Sequence, residues 1–172
     1  MLHNFPVTTP AGAASYTYSR SATVAASPQD CFRPIRRIGG DSGWYFADWL
    51  WRLRGLLDRW VGGIGTRRGR PHPDLVRPGD VLDCFRVESF EPDRRLLLAT
   101  EWKLPGRGWL EFLVEGDHTY STIHLTARYD PRGLWGRVYW YLTYPVHQIL
   151  FTGLLRQIAA RCLHVDSSCN HR

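Results

Sequence analysis

Three side chains in this sequence combine reactivity with a setting that would hold them away from water: Asp83, Tyr144 and His147. Asp83 lies in GDVLDCFRVE, where Val81, Asp83, Phe85 and Val87 alternate onto one face of a predicted strand. Taking the apolar face as inward, it is the one carboxylate of the strand region that points to the core. A carboxyl among apolar neighbours has a raised pKa unless a cation pairs with it, and such a group serves as general acid or base. The alternative is a structural salt bridge with Arg54 or Arg86. Trp140, Tyr144, His147 and Phe151 fall at i, i+4, i+7 and i+11, so one helical stripe is aromatic and carries a single imidazole. Imidazole moves protons near neutral pH, and a tyrosine hydroxyl donates to a developing oxyanion. The plainer alternatives are a hydrogen-bonded core histidine and a packed tyrosine.

Other chemistries find less support. Cys31, Cys84, Cys162 and Cys169 show no C-x-x-C or metal-ligand spacing and read as free thiols of a reducing cytoplasm, so no metal site is expected. Gly63-Ile64-Gly65 follows a helix instead of a strand and runs into Pro71-His72-Pro73, which excludes a phosphate loop. Glu101 and Glu111 face outward by parity, onto a solvated surface. No nucleophile with a placed base emerges, and no cofactor is implied.

The stripe belongs to the last long apolar segment, Leu134 to Cys162. Between Arg137 and Arg156 lie 18 residues without a charged side chain, a length at which a membrane span is considered. Tyr139, Tyr141, Thr143, Tyr144, His147, Gln148 and Pro145 would sit mid-bilayer, so the segment is expected as a helix covered on most sides, bent at Pro145, that walls a cavity. Pro131 and Gly133 mark its start. A second helix is predicted over Ser42 to Val61, with Trp44, Asp48, Trp51 and Arg54 on one face. Ser27-Pro28 starts a short helix to about Ile38, interrupted by Pro34, after a strand over Ser15 to Ala26. From Asp80 the period becomes two, and strands are predicted over Val81 to Phe90, Arg95 to Leu104, Gly108 to Glu115 and Tyr120 to Tyr129, in an antiparallel meander.

At 172 residues the chain fits one domain, expected over 15–163 between a flexible leader (1–14) and a polar tail (164–172). Eight Trp and eight Tyr are a heavy aromatic load, and some must line a pocket or partner surface. The net charge of +6 comes from arginines scattered through apolar segments, the densest group being Arg67, Arg68 and Arg70; without a binding motif, nucleic acid is not expected. The N-terminus lacks the charged start and apolar core of a secretory signal, which points to the cytoplasm.

GGDSGWYFADWLWRLRGLLDRWVGGIGTRRGR, GDVLDCFRVE, EWKLPGRGWLEF and YDPRGLWGRVYWYLTYPVHQILF, in that order, resemble the family catalogued as domain of unknown function 2867. The resemblance implies an α+β helix-grip fold of the START and Bet v 1 type (SRPBCC), with a curved antiparallel sheet around a long C-terminal helix and an internal apolar cavity. The residues then expected at the ligand are Trp44, Trp51, Arg54, Phe85, Trp102, Phe112, Trp140 and Phe151. Cys84-Phe85 and Trp102 depart from the family's DFWRV-like and EMKLPG patterns, which alters volume near the cavity. The expected function is binding of a bulky, largely apolar molecule, with cofactor-independent cyclase or aromatase chemistry through Asp83, His147 and Tyr144. A carrier without catalysis is the alternative. Family members also occur behind a Rossmann domain, so a separate Rossmann oxidoreductase is a further expected partner, with a homodimer as the alternative.

Overall fold

The computed structural model describes residues 15–60, 75–101, 103 and 105–163, with the backbone alone at 41, 52, 54, 57 and 58. The expected leader, the tail and most of the proline-rich loop, 61–74, lie outside the described residues. Strand β1, Tyr16–Val24, is rich in Tyr, Thr and Ser, which suit a pleated, half-buried surface. Ser27 then caps α1, Pro28–Arg36: its Oγ accepts from the Asp30 N–H at 3.3 Å, and Pro28 stands where no helical N–H is needed. Pro34 does not interrupt this helix. It lies in the last turn, and Arg36 ends it.

Helix α2, Asp48–Trp60, starts six residues later than the apolar period indicates. The cause is local chemistry. The Asp48 carboxylate takes the Trp44 N–H at 2.7 Å, and Tyr45 and Ala47 both hold positive φ, so residues 43–47 form an irregular loop ahead of the helix.

The strand predicted over Val81 to Phe90 is instead a hairpin. Strands β2, Val81–Leu82, and β3, Phe85–Glu91, pair antiparallel, with Leu82 opposite Phe85 across the two-residue turn Asp83-Cys84. Asp83 supplies the positive φ (56°) that such a turn needs, a conformation short polar side chains tolerate. Then come β4, Arg95–Thr100, β5, Gly106–Gly116, and β6, Ser121–Pro131. All neighbours are antiparallel, in the order β1-β6-β5-β4-β3-β2.

The inner sheet face carries the buried positions read by alternation: Leu96 and Leu98, Leu110, Phe112 and Val114, then Ile123, Leu125, Ala127 and Tyr129. Helix α3, Gly133–Leu163, packs on β1, β6 and α1 and completes a helix-grip fold. Its burial is uneven. Leu154, Ile158 and Cys162 are fully buried, whereas Trp135 is 78% and Leu142 71% exposed, so only the C-terminal half is covered as the apolar sequence leads one to expect.

Candidate functional site

A cavity of about 430 Å³ lies between the inner sheet face, α2 and the middle of α3. The sheet contributes Phe85, Thr100, Leu110, Ala127 and Tyr129, which alternation points the same way; α2 contributes Leu50, Trp51 and Leu53. From α3 come Tyr139, Trp140, Thr143, His147, Leu150 and Phe151, successive turns of one face. Trp109 and Arg128 also border the space, but strand alternation sends their side chains to the outer face, where the Trp109 Nε1–H donates to Glu88 at 3.1 Å. They close the cavity with backbone. No Asp or Glu is among the lining residues, which include Lys103.

The aromatic walls are ordered by ring contacts. Trp140 stacks on Tyr129 at 5.8 Å and on Tyr16 at 5.4 Å, so β1 and β6 grip it from the sheet. The Tyr129 hydroxyl donates to the Pro105 carbonyl at 2.9 Å, tying the β4–β5 connection to this end. His147 stacks on Phe151 at 5.3 Å and lies 6.1 Å from Trp140. The opposite wall is held by Trp44, buried outside the cavity, which stacks on Trp51 at 4.5 Å and packs against Phe85 at 5.0 Å.

Of the three expected catalytic residues, only His147 is on the wall. Tyr144, on the same stripe, turns to the surface of β1 and meets Tyr18 edge-on at 6.1 Å. Asp83 is buried at 8% exposure but does not line the cavity. Its carboxylate accepts from the Trp44 Nε1–H at 3.0 Å and the Gly40 N–H at 3.3 Å, so it anchors the 39–44 loop to the β2–β3 turn. Gly39 approaches so closely, at φ +83°, that a side chain there would press on Asp83 Oδ2. Arg86, one expected partner of Asp83, is committed to Glu101 at 2.6 Å across the outer face, and Glu111 likewise takes Arg95 at 2.6 Å.

Of the expected ligand contacts, Trp51, Phe85, Trp140 and Phe151 line the cavity. Trp44 backs the wall, and Phe112 is fully buried between Leu96 and Leu125, away from the space. Trp102 and the Arg54 side chain lie outside the described residues. Sequence reasoning missed Tyr129, Tyr139, Leu110, Ala127 and Thr143. Parity placed Tyr129, Leu110 and Ala127 inward, but only the register, which sets Leu110 opposite Ala127, shows which inward residues border the gap.

Chemically, the site offers an apolar, aromatic volume with a few polar atoms: the Tyr129 and Thr143 hydroxyls, Thr100 and the His147 ring. Among the described residues no group of three or more His, Cys, Asp and Glu could hold a metal ion.

Several solved structures share the fold. The ZhuI aromatase/cyclase from Streptomyces sp. R1128 aligns with a TM-score of 0.51 at 11% identity, over 91% of this chain and 99% of its own. Norcoclaurine synthase from Thalictrum flavum, in complex with dopamine and hydroxybenzaldehyde, aligns with a TM-score of 0.52 at 12% identity, over 94% and 98%. A polyketide-cyclase-like protein from Corynebacterium glutamicum gives 0.50 at 13% identity, over 95% and 99%. At these identities the likeness concerns the fold alone. No curated protein matches the chain in sequence. Residues 10–154 match the family described as "Protein of unknown function (DUF2867)", and because that match covers well over half of the sequence, the chain belongs to this family.

Proposed function

We propose that the chain binds a bulky, largely apolar small molecule in the cavity between the sheet, α2 and α3. One observation carries this: a space of about 430 Å³ walled by Trp51, Phe85, Leu110, Trp140, Leu150 and Phe151, with no carboxylate in the lining. Small-molecule sites occupy about 300–1,000 Å³ and combine apolar walls with a few orienting polar groups, the pattern found here. A cationic or strongly hydrated ligand would lose its water against these walls with no carboxylate to compensate it. Binding is therefore the primary reading. Turnover of the cyclase or aromatase kind, without a cofactor, is the second, and the His147 ring on the wall is what favours it, since a proton-transfer group must reach the ligand.

The test is native mass spectrometry of the purified protein before and after organic extraction. A retained hydrophobic molecule that extraction removes is the expected result, and it identifies compounds to assay for turnover. A protein that carries nothing and binds no apolar probe overturns the reading.

A further inference from the structure

The N-terminal half of α3 presents to the outside the kind of face that a helix normally buries. Leu134, Val138, Tyr141, Leu142, Val146 and Ile149 fall at i, i+4, i+7, i+8, i+12 and i+15, one continuous stripe. All six are exposed, Ile149 at 68%, and Trp135 beside them reaches 78%. Across the cavity, α2 adds Trp49 at 67% and Leu56 at 52%. An aromatic side chain carries about 150–250 Å². Trp135 and Trp49 alone thus show on the order of 300 Å² of largely apolar surface, and with the aliphatic residues the two helices exceed the few hundred Å² usual for an unpartnered surface.

This surface is continuous with the cavity. Leu53, Leu142 and Val146 are exposed at the surface and also line the space within. An apolar molecule could pass between the two along them without meeting a charged side chain on α3.

Charge decides what covers the patch. Helix α3 contains Arg137, Arg156 and Arg161 and no Asp or Glu, Arg132 immediately precedes it, and the chain as a whole carries +6. Helix α2 adds Arg52, Arg54 and Arg59 against Asp48 and Asp58, so a second copy laid on the same face would set one net positive surface against another. An anionic lipid surface supplies the opposite charge and accepts Trp, Tyr and aliphatic side chains at headgroup depth. No helix among the described residues is long and apolar enough to cross a membrane, so the contact would lie along the interface.

We infer that the exposed faces of α2 and the N-terminal half of α3 dock on an anionic lipid bilayer, with the mouth of the cavity turned toward the lipid. The docking stands on the surface alone; its use, exchange of an apolar ligand between bilayer and cavity, rests on the binding function proposed above.

Co-sedimentation tests it, using vesicles of phosphatidylcholine containing phosphatidylserine and vesicles of phosphatidylcholine alone. The protein should pellet with the mixed vesicles and about tenfold less with the neutral ones. Two surface variants, Trp135→Ser/Leu142→Ser and Arg132→Gln/Arg137→Gln, should each lower the bound fraction about tenfold with unchanged circular dichroism. The Ala127→Leu variant, whose added side chain enters the cavity, should still pellet while binding ligand more weakly, which separates docking from binding; a wild type that pellets yet binds no apolar probe removes the exchange role and leaves the docking standing. Three results overturn the docking: no pelleting with anionic vesicles, equal pelleting of the wild type and Trp135→Ser/Leu142→Ser, or a dimer in sedimentation equilibrium that this double variant dissociates. The last would make the face an interface between copies.

Discussion

Replacing Ala127 by leucine asks whether the cavity is space that a side chain can occupy. Ala127 stands opposite Leu110 on β5 and Tyr18 on β1, and it borders the cavity from the inner sheet face. Leucine adds three carbons there. At about 0.8 kcal/mol per buried methylene the gain is roughly 2.4 kcal/mol, from which lost rotamer freedom removes about 0.5–1. The net expectation is a stabilisation of about 1.5 kcal/mol. In a filled core the same substitution overpacks and costs about 1–3 kcal/mol, so the sign alone separates the two cases. Urea unfolding of extracted protein reads it: the midpoint should rise by about 0.5–1 M with the slope unchanged. Titration with the neutral fluorophore 1-aminoanthracene should show at least about tenfold weaker binding, the loss of roughly two methylenes' worth of contact. A lower midpoint together with unchanged probe affinity would refute the cavity reasoning.

Other residues give sharper but narrower tests. His147→Phe keeps the stack on Phe151, so the melting temperature should stay within a few degrees and probe binding should persist; if His147 transfers protons, turnover of an identified substrate disappears, and undiminished turnover excludes that role. Cys31, Cys84 and Cys162 are buried and form no disulfide, and a hydrogen bond with Cys31 followed by burial holds the Cys162 thiol far above its usual range. All three should therefore resist a maleimide in native buffer and label in denaturant, as peptide mass spectrometry would show, and native labelling of Cys162 would contradict the packing of α3 on α1. Asp117 accepts the backbone N–H groups of Tyr120 and Thr119 at the β5–β6 turn, which lowers its pKa below the ordinary 3.8. Its contribution is thus present above that value and lost as pH falls through the lower folded value, so Asp117→Ala should flatten the fall of melting temperature in acid, and an unchanged acid profile would count against it.

How much of this was legible depended on whether a residue's partners are local. The β5 and β6 strands and the aromatic stripe of α3 follow from alternation and helical spacing, because those periods are intrinsic to the backbone. Asp83 pointed inward by parity and is buried, yet parity assumed an unbroken strand. Nothing in Asp-Cys reads as a hairpin turn, since the usual signals are Asn-Gly or Asp-Gly. The late start of α2 depends on Asp48 capturing the Trp44 N–H, a contact that competes with helix and leaves no periodic trace. The cavity was expected from the aromatic load, and Trp51, Phe85, Trp140, His147 and Phe151 of its border with it, but the rest of the border was not. Which inward residues face empty space depends on where α2 and α3 diverge, a long-range distance that no local pattern encodes.

Asp83 also shows why a lost activity would be a poor guide to catalysis here. Its carboxylate holds the Trp44 indole N–H at 3.0 Å, Trp44 stacks on Trp51 at 4.5 Å, and Trp51 is a cavity wall. Removing the carboxyl leaves a buried donor unsatisfied, at a cost of about 1–3 kcal/mol, and frees the wall to shift. Asp83→Ala should therefore lower both stability and ligand affinity without the residue touching ligand. Trp44→Phe discriminates between the roles, because it retains an aromatic ring for the stack while deleting the indole donor and leaving the Asp83 carboxylate the Gly40 N–H. If Asp83 acts through the loop, the two variants weaken probe binding alike, and the double variant is no worse than the poorer single one, as expected for residues in one network. If Asp83 transfers protons, Trp44→Phe retains most of the turnover that Asp83→Ala abolishes, and the anchoring role assigned to this carboxylate fails.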